Sequence, residues 1–253
     1  MAFATTRTRD DLGAFEAFSK GIPAELTVFV KKTYGLLAFS LVLAAMSCSV
    51  MIDLMPTRQV MDGGVLRTVP ALPPIAFWGL VIGEFAFLFM AMFARGGARQ
   101  GEVSVFGLVA LGGFVLTSGA LLGPVVGTYV GLGMASTVAA AAVTTAVTFS
   151  TLTAFVFLTG KNFSSWGGIL FMGLIALIIG QLLNGFFFRS AGMDGWMSGL
   201  GALLFCGFIL VDTSRLVHMY GPANMVVPAV LALYLDILNL FLLLLRLMGN
   251  RRN

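Results

Sequence analysis

Charged residues are scarce in this sequence. Asp, Glu, Lys and Arg make up 10% of its 253 residues, whereas soluble domains carry about 25%. Hydrophobic residues make up 58%, and the mean hydropathy is +0.98. Because each membrane span needs about 20 apolar residues, a chain of this length is filled by several spans and has little room for a separate soluble domain. The composition therefore predicts a polytopic membrane protein folded as one bundle.

Cysteine and histidine are equally rare, which argues against several kinds of site. Cys48 and Cys206 both lie inside apolar runs, where cysteine packs as a small hydrophobe. No disulfide framework or metal-thiolate site is therefore expected. The lone histidine, His218, stands at the end of an apolar run and is expected to be a solvated boundary residue. The net charge of +4 reflects Lys and Arg beside the apolar runs, which membrane topology explains without a nucleic-acid partner.

The apolar runs predict seven transmembrane helices. Residues 1–30 form a polar lead-in without the uninterrupted apolar core of a signal peptide. The bundle occupies residues 31–248, and a short basic tail occupies 249–253. The stretch 53–72, which contains Pro56, Gly63, Gly64 and Pro70, is interpreted as the longest hydrophilic loop. The predicted spans are about Thr33–Ile52, Pro74–Ala94, Val103–Leu122, Leu132–Leu158, Gly167–Phe188, Trp196–His218 and Val226–Leu247.

The distribution of basic residues predicts a cytoplasmic N-terminus. Segments on the N-terminal side of the membrane carry more Lys and Arg than those on the other side, as the positive-inside tendency requires. With seven full spans, however, the basic tail lies outside, against that tendency. Either the N-terminal half dominates or the last apolar segment is re-entrant, so the side of the C-terminus stays open. We favour seven full spans.

Two aspartates inside apolar runs are the main functional candidates. An acidic group at membrane depth costs roughly 2.5–3.5 kcal/mol on insertion scales, so it usually faces a bundle interior and marks an ion or proton path. At about 1.5 Å per residue, Asp212 lies roughly 9 Å and Asp236 roughly 15 Å from the same predicted end. Two neighbouring carboxylates can share a proton. A pH-dependent site is the first hypothesis, and a permanently paired structural role is its alternative.

Three further polar residues accompany this pair. Arg95 stands at the cytoplasmic end of the second predicted span, where it either snorkels as an anchor or reaches inward toward Asp212. Glu84, near the middle of that span, either lines an ion pathway or is hydrogen-bonded structural polarity. Asn239 shares a helical face with Asp236, so it is positioned to orient it and, like Glu84, is a candidate for the ion pathway.

Three segments resemble the Bax inhibitor (transmembrane Bax-inhibitor-motif) family in its bacterial branch. They are GFILVDTS at 207–214, ALYLDILNLF at 232–241 and TGKNFS at 159–164, and the resemblance extends over nearly the whole chain. It implies an all-α fold in which six transmembrane helices surround a central C-terminal seventh. It also implies a bacterial inner-membrane location.

The same resemblance implies a pH-sensitive calcium leak. Asp212 and Asp236 match the family's di-aspartyl proton sensor, Arg95 matches an arginine that latches the pore, and Glu84 matches an acidic position. No cofactor is implied; calcium is the permeant ion, transiently bound by Asp212 and Asp236, and calcium and protons are the expected partners besides the lipid bilayer. Asn162 departs from the family, which often has an aspartate there, so the loop is not expected to add charge to the site.

Other functions remain as alternatives. Two membrane aspartates are typical of intramembrane aspartyl proteases, but the Gly-x-Gly-Asp element is missing, so no enzyme is expected. Bacterial members of the resembled family are associated with modulating a membrane-anchored quality-control protease, and residues 1–20 would then be a recognition handle. A proton-coupled transporter is disfavoured because no inverted repeat stands out. A retinal photoreceptor is disfavoured because the seventh span has no lysine.

Overall fold

Seven long helices form most of the described part of the protein. The computed structural model describes residues 24–93, 103–218 and 225–250, and seven helices in these ranges are long and apolar enough to cross a membrane. The apolar runs are helical because a helix satisfies its own backbone hydrogen bonds in lipid. The helices are α1 (Ala24–Leu54), α2 (Pro74–Phe93), α3 (Val105–Gly131), α4 (Ala135–Thr159), α5 (Gly167–Leu183), α6 (Ala191–His218) and α7 (Val226–Asn250).

The C-terminal helix α7 is the centre of the bundle. It packs against α1, α2, α3, α4 and α6, and its residues Val230, Leu233 and Tyr234 are almost wholly buried. The outer helices α2 and α5 expose most of their apolar residues, as expected of surfaces that face lipid. The predicted fold of six helices around a central seventh is confirmed.

Short connections make successive helices alternate in direction, so the bundle has two distinct ends. A β-hairpin follows α1, and we call the end that carries it the hairpin face; α1, α3, α5 and α7 end there. The opposite face holds the ends of α2, α4 and α6. Asp212 lies near the end of α6, toward the opposite face, and Asp236 lies ten residues into α7, near the middle of that helix.

The stretch predicted as a hydrophilic loop is instead an antiparallel hairpin. Strands β1 (Thr57–Asp62) and β2 (Val65–Pro70) pair with Asp62 opposite Val65. Gly63 and Gly64 join them with φ of 55° and 83°, the two positive values that a type I′ turn requires. The Arg67 guanidinium fixes the hairpin to the bundle, because Nη1 donates to the Leu132 carbonyl at 2.6 Å and Nε lies 3.1 Å from Asp62 Oδ2.

The third span was predicted to end at about Leu122, just before Gly123-Pro124, and this end is also wrong because α3 runs through Pro124 to Gly131. A proline removes one backbone donor, and a transmembrane helix tolerates this when its neighbours support it. One turn further along the helix, the Thr128 hydroxyl donates to the Pro124 carbonyl at 2.7 Å. Glycines recur every four residues on the face of α3 that meets α1 and the hairpin; they are Gly119, Gly123, Gly127 and Gly131.

The first and last helices also extend beyond the predicted limits of the bundle. Helix α1 begins at Ala24, before the predicted start of the bundle at residue 31, and its Lys31 and Lys32 are exposed. Helix α7 continues to Asn250, so the first two residues assigned to the tail are helical. Residues 1–23 and 251–253 lie outside the described ranges.

Candidate functional site

Asp212 forms an ion pair on its own helix. Its Oδ1 accepts a hydrogen bond from Arg215 Nη1 at 3.1 Å, and the Asp212 side chain is 15% exposed. The two residues are three apart on α6, a spacing that places side chains next to each other. Asp212 Oδ2 makes no hydrogen bond to any described residue. This pairing was not predicted from the sequence, although the spacing of three residues was a usable signal.

Arg215 is held in place by the start of α5. Gly167, the first residue of α5, lies so close to the Arg215 guanidinium that a Cβ there would collide with it, and Val211 also lines this contact. The neighbouring Gly168 has nothing within 4 Å of the corresponding position. The absence of a side chain at Gly167 therefore makes room for the cation that neutralises Asp212.

The connection between α4 and α5 is tied to the end of α6. The Phe163 amide donates to Ser214 Oγ at 2.8 Å, and Ser214 Oγ lies 3.2 Å from Asn162 Oδ1. The two ring nitrogens of His218 lie 2.9 Å from the Ser214 carbonyl and 3.2 Å from the Gly160 carbonyl. His218 is thus part of a contact between helices, contrary to the prediction of a merely solvated residue. These bonds fix the segment of α6 that carries Asp212 and Arg215.

Asp236 is the more deeply buried aspartate. Its side chain lies on the central helix α7, and the residue is 4% exposed. Its Oδ2 has no hydrogen-bond partner within the described part of the chain, and Asp212 and Arg215 are both within electrostatic range of it. An ionised carboxylate in such surroundings is costly without compensation. A proton, a metal cation or an additional arginine would neutralise it.

A single cavity contains both aspartates. It has a volume of about 580 Å³, and its lining includes Asp212, Asp236 and Asn239 among leucine, isoleucine and phenylalanine side chains. Asn239 does not orient Asp236 through a hydrogen bond, because its Nδ2 donates to the Leu235 carbonyl at 2.8 Å. Its Oδ1 accepts no bond from a described residue. The cavity therefore offers two carboxylates and the Asn239 amide oxygen in mostly apolar surroundings, and Gln181 and Arg246 line it as well.

Glu84 stands apart from this cavity. It is half-buried on α2 and lies within electrostatic range of Tyr234, whose hydroxyl is 2.6 Å from Ser118 Oγ. Tyr234 precedes Asp236 by two residues, which places the two side chains on opposite sides of α7. Glu84 is not among the residues that line the aspartate cavity. Arg95, the predicted latch, lies outside the described residues.

The described residues of the cavity do not form a complete metal site. In the described ranges, no group of three or more His, Cys, Asp and Glu side chains could hold a metal ion. Calcium takes six to eight oxygen ligands in its tight protein sites. Asp212, Asp236 and Asn239 supply fewer, so a calcium ion here would keep part of its hydration shell. Such an arrangement suits transient passage better than storage.

These features define the class of protein. It is an integral membrane protein of seven helices, with a buried acidic pair between its last two helices and a basic residue beside that pair. A family model described as "Inhibitor of apoptosis-promoting Bax1" matches residues 26–253. The chain belongs to this Bax inhibitor family, so the resemblance seen in the sequence is confirmed.

Relatives from distant organisms show how widely this architecture occurs. The chain is 30% identical over 239 residues to protein Cj0236c of Campylobacter jejuni, covering 94% of this chain and 95% of that protein. It is 31% identical over 220 residues to the Golgi anti-apoptotic protein of vaccinia virus, covering 87% and 84%. It is 28% identical over 220 residues to "Modulator of FtsH protease YccA" of Escherichia coli, covering 87% and 89%.

Proposed function

We propose that the protein is a pH-sensitive calcium leak channel in which Asp212 and Asp236 sense protons. The observation that carries this proposal is the shared cavity, where Asp236 is 4% exposed and one of its carboxylate oxygens has no partner among the described residues. The uncompensated charge of Asp236 favours uptake of either a proton or a cation. Proton binding and calcium passage are thereby coupled at one place.

The gating step follows from charge balance. Arg215 is the cation beside both carboxylates, whereas Arg246 lines the far part of the cavity, ten residues or about 15 Å along α7 from Asp236. Locally, the ionised pair therefore keeps one negative charge in excess. A second guanidinium would complete the balance at Asp236 or at the free oxygen of Asp212, and Arg95 is our candidate for this closing contact. Proton uptake by the pair removes the attraction for Arg95 and loosens the contact. Flux is therefore expected to rise as the pH falls across neutrality.

Calcium would pass along α7 beside this pair. Asp212, Asp236 and Asn239 supply hard oxygen ligands in number sufficient to attract the ion and too few to hold it. Glu84 remains a candidate for a separate part of the pathway on the other side of α7. The function requires no enzymatic step and no cofactor. We place the protein in a bacterial inner membrane with its N-terminus in the cytoplasm.

The test is calcium entry into liposomes that contain the purified protein, measured across neutral pH. Wild type is compared with Asp212→Asn, Asp236→Asn and Arg95→Ala, and Asp53→Asn is the control because Asp53 is an exposed carboxylate at the end of α1. We expect the two cavity variants to lose the pH dependence and Asp53→Asn to retain it. Arg95→Ala should conduct at a pH where wild type is closed. If no variant conducts above empty liposomes, the leak is refuted.

Regulation of a membrane protease is the second candidate. The similarity to YccA, named a modulator of FtsH protease, extends over most of both chains, so this protein could bind a membrane-anchored protease of the same kind. Deleting residues 1–20 tests the predicted recognition handle. If the deletion abolishes co-purification with the protease while calcium flux is unchanged, binding is a separate function of the chain. If co-purification is absent in wild type, this candidate fails.

A further inference from the structure

A second cavity opens at the hairpin face, far from the ends of α2, α4 and α6. Its volume is about 710 Å³, and its lining combines the ends of α3, α5 and α7 with the start of α6. The polar and charged side chains of its lining include Arg189, Arg246, Tyr129, Gln181 and Asp194. None of the motifs discussed above involves this cavity.

The turn that carries Arg189 has an unusual backbone. A π-helix, Asn184–Phe188, ends α5, and Arg189 follows it with φ of 48°. Both features are uncommon, and both are found preferentially at functional sites. Single π-helical turns occur there, and so do non-glycine residues in the left-handed region, which are locally strained. The Arg189 amide donates to the Asn184 carbonyl at 2.7 Å. The strained residue is therefore held in place and not simply loose.

Asn184 is the centre of this turn. It is 1% exposed. Its Nδ2 donates to Asp194 Oδ1 at 2.7 Å and to the Ser190 carbonyl at 3.2 Å. Its Oδ1 accepts a hydrogen bond from the Ser190 amide at 3.0 Å. The bond from Asn184 Nδ2 occupies Oδ1 of Asp194, which is the single carboxylate in the cavity lining. The turn is thus built so that Asp194 supports the backbone while Arg189 lines the cavity.

The two arginines of the cavity lack a carboxylate partner. Within the described ranges neither Arg189 nor Arg246 forms an ion pair, and Arg246 makes one long hydrogen bond, 3.5 Å from Nη1 to Gln181 Oε1. Arg246 lies four residues before the end of α7, about 6 Å along its axis, and Arg189 directly follows the end of α5. Both therefore stand near one membrane interface. Two guanidinium groups with unused donors are the usual recognition elements for phosphate.

We propose that this cavity binds a phosphate group between Arg189 and Arg246. The lipid headgroup and a free phosphate share this chemistry. The headgroup is favoured because Phe186, Phe187 and Phe188 are 74%, 76% and 63% exposed immediately before Arg189, so acyl chains can cover the π-helix while the phosphate enters the cavity. The Tyr129 hydroxyl and the Gln181 amide supply further hydrogen-bond donors.

A bound phosphate would act on the aspartate cavity through shared residues. Gln181 and Arg246 line both cavities, so Arg246 stands where the two spaces meet. Its positive charge repels calcium, and a phosphate on the other side would reduce that repulsion. This regulation rests on the proposed leak, whereas the binding itself does not, so binding is tested without any measurement of flux.

The experiment is native mass spectrometry of the full-length protein with two probes. In one arm the protein is released from nanodiscs made of phosphatidylglycerol and phosphatidylcholine, and retained phosphatidylglycerol is counted. In the other arm, inorganic phosphate is titrated in detergent. The variants are Arg189→Gln and Arg246→Gln, with Arg58→Gln as control because Arg58 is an exposed arginine of the hairpin outside this lining.

We expect Arg189→Gln and Arg246→Gln each to weaken lipid retention or phosphate affinity about tenfold, because each loses one charged hydrogen bond. The control Arg58→Gln should have no effect on either measurement. Retention of the lipid without binding of inorganic phosphate identifies a headgroup site, and the reverse result identifies a free phosphate; both support the proposal. Absence of both, or an equal loss in Arg58→Gln, overturns it. Helix content by circular dichroism shows whether a variant is folded, and Arg189→Lys should restore part of the binding if charge is responsible.

Discussion

Asp212 and Arg215 form a hydrogen-bonded ion pair at 3.1 Å within one helix. The pair lies beside a second aspartate, Asp236, whose Oδ2 is without a partner in the described ranges. Three charges on two adjacent helices therefore do not cancel. This imbalance is the source of the proposed proton sensitivity, and Arg215 is the group through which it is most directly tested.

Replacing Arg215 by Gln should move the pH dependence of calcium flux toward higher pH. Without the guanidinium, the two carboxylates repel each other more strongly, and the cavity takes up its proton at a lower proton concentration. The measurement is the pH of half-maximal calcium entry into liposomes. Arg215→Lys, which keeps the charge, should stay close to wild type. An unchanged midpoint in Arg215→Gln would show that the ion pair is not coupled to gating.

Adding a methyl group at Gly167 should reproduce part of that effect without unfolding the protein. The new Cβ collides with the far end of the flexible Arg215 side chain, which can move aside and weaken its bond to Asp212. Gly168→Ala is the matched control, because nothing lies within 4 Å of a Cβ there. We expect Gly167→Ala to shift the pH midpoint in the same direction as Arg215→Gln. An equal shift of the pH midpoint in Gly168→Ala would show that a methyl group anywhere at the start of α5 has this effect, and that displacement of the Arg215 guanidinium is not the cause.

Gly119→Ala should destabilise the contact between α1 and α3. A Cβ at Gly119 would lie 2.5 Å from the Ala44 carbonyl oxygen, which is backbone and cannot move aside easily, whereas a Cβ at Gly112 on the same helix meets nothing within 4 Å. Overpacking of this kind costs about 1–3 kcal/mol. Unfolding in a detergent titration measures the loss. Gly112→Ala should be neutral or slightly stabilising, and equal effects at both positions would contradict close helix packing at Gly119.

Removing the Tyr234 hydroxyl should cost stability on the side of α7 away from the aspartates. The hydroxyl is 2.6 Å from Ser118 Oγ in a fully buried contact, and a hydrogen bond of this kind contributes about 0.5–1.5 kcal/mol. Tyr234→Phe, Ser118→Ala and the double variant form a thermodynamic cycle by the same detergent titration. The pH dependence of calcium flux should be unchanged in Tyr234→Phe. A shifted pH midpoint would mean that this side of α7 also takes part in proton sensing.

The sequence was sufficient to locate the helices and the two aspartates. Apolar runs in lipid have few alternatives to a helix, and Asp212 and Asp236 are conspicuous because acidic residues in such runs are rare. The end of α3 was missed because Pro124 is a strong stop in soluble helices and a weak one in a packed membrane helix. The hairpin was missed because Asp62-Gly63-Gly64 was taken as a loop signal and not as a type I′ turn.

The side-chain arrangement of the site could be predicted less well. Arg215 and Asp212 have a helical spacing that allows a contact, but its formation depends on Gly167 from another helix. The position of Glu84 relative to the aspartates depends on which sides of α7 face α2 and α6, and an apolar sequence says little about such rotations. The second cavity has no sequence signature, since it depends on the π-helix after Leu183 and on the left-handed Arg189.

The position of the hairpin allows the orientation of the protein in the membrane to be measured. It is anchored at one end of the bundle through Arg67 and Leu132, whereas the Asp212–Arg215 pair lies toward the other end. A cysteine can be introduced at the hairpin turn and treated with a labelling reagent that is confined to one side of the membrane. If the cysteine is labelled, that side is the one farther from the ion pair. The compartment nearer to the Asp212–Arg215 pair can thus be learned from a residue that takes no part in proton sensing.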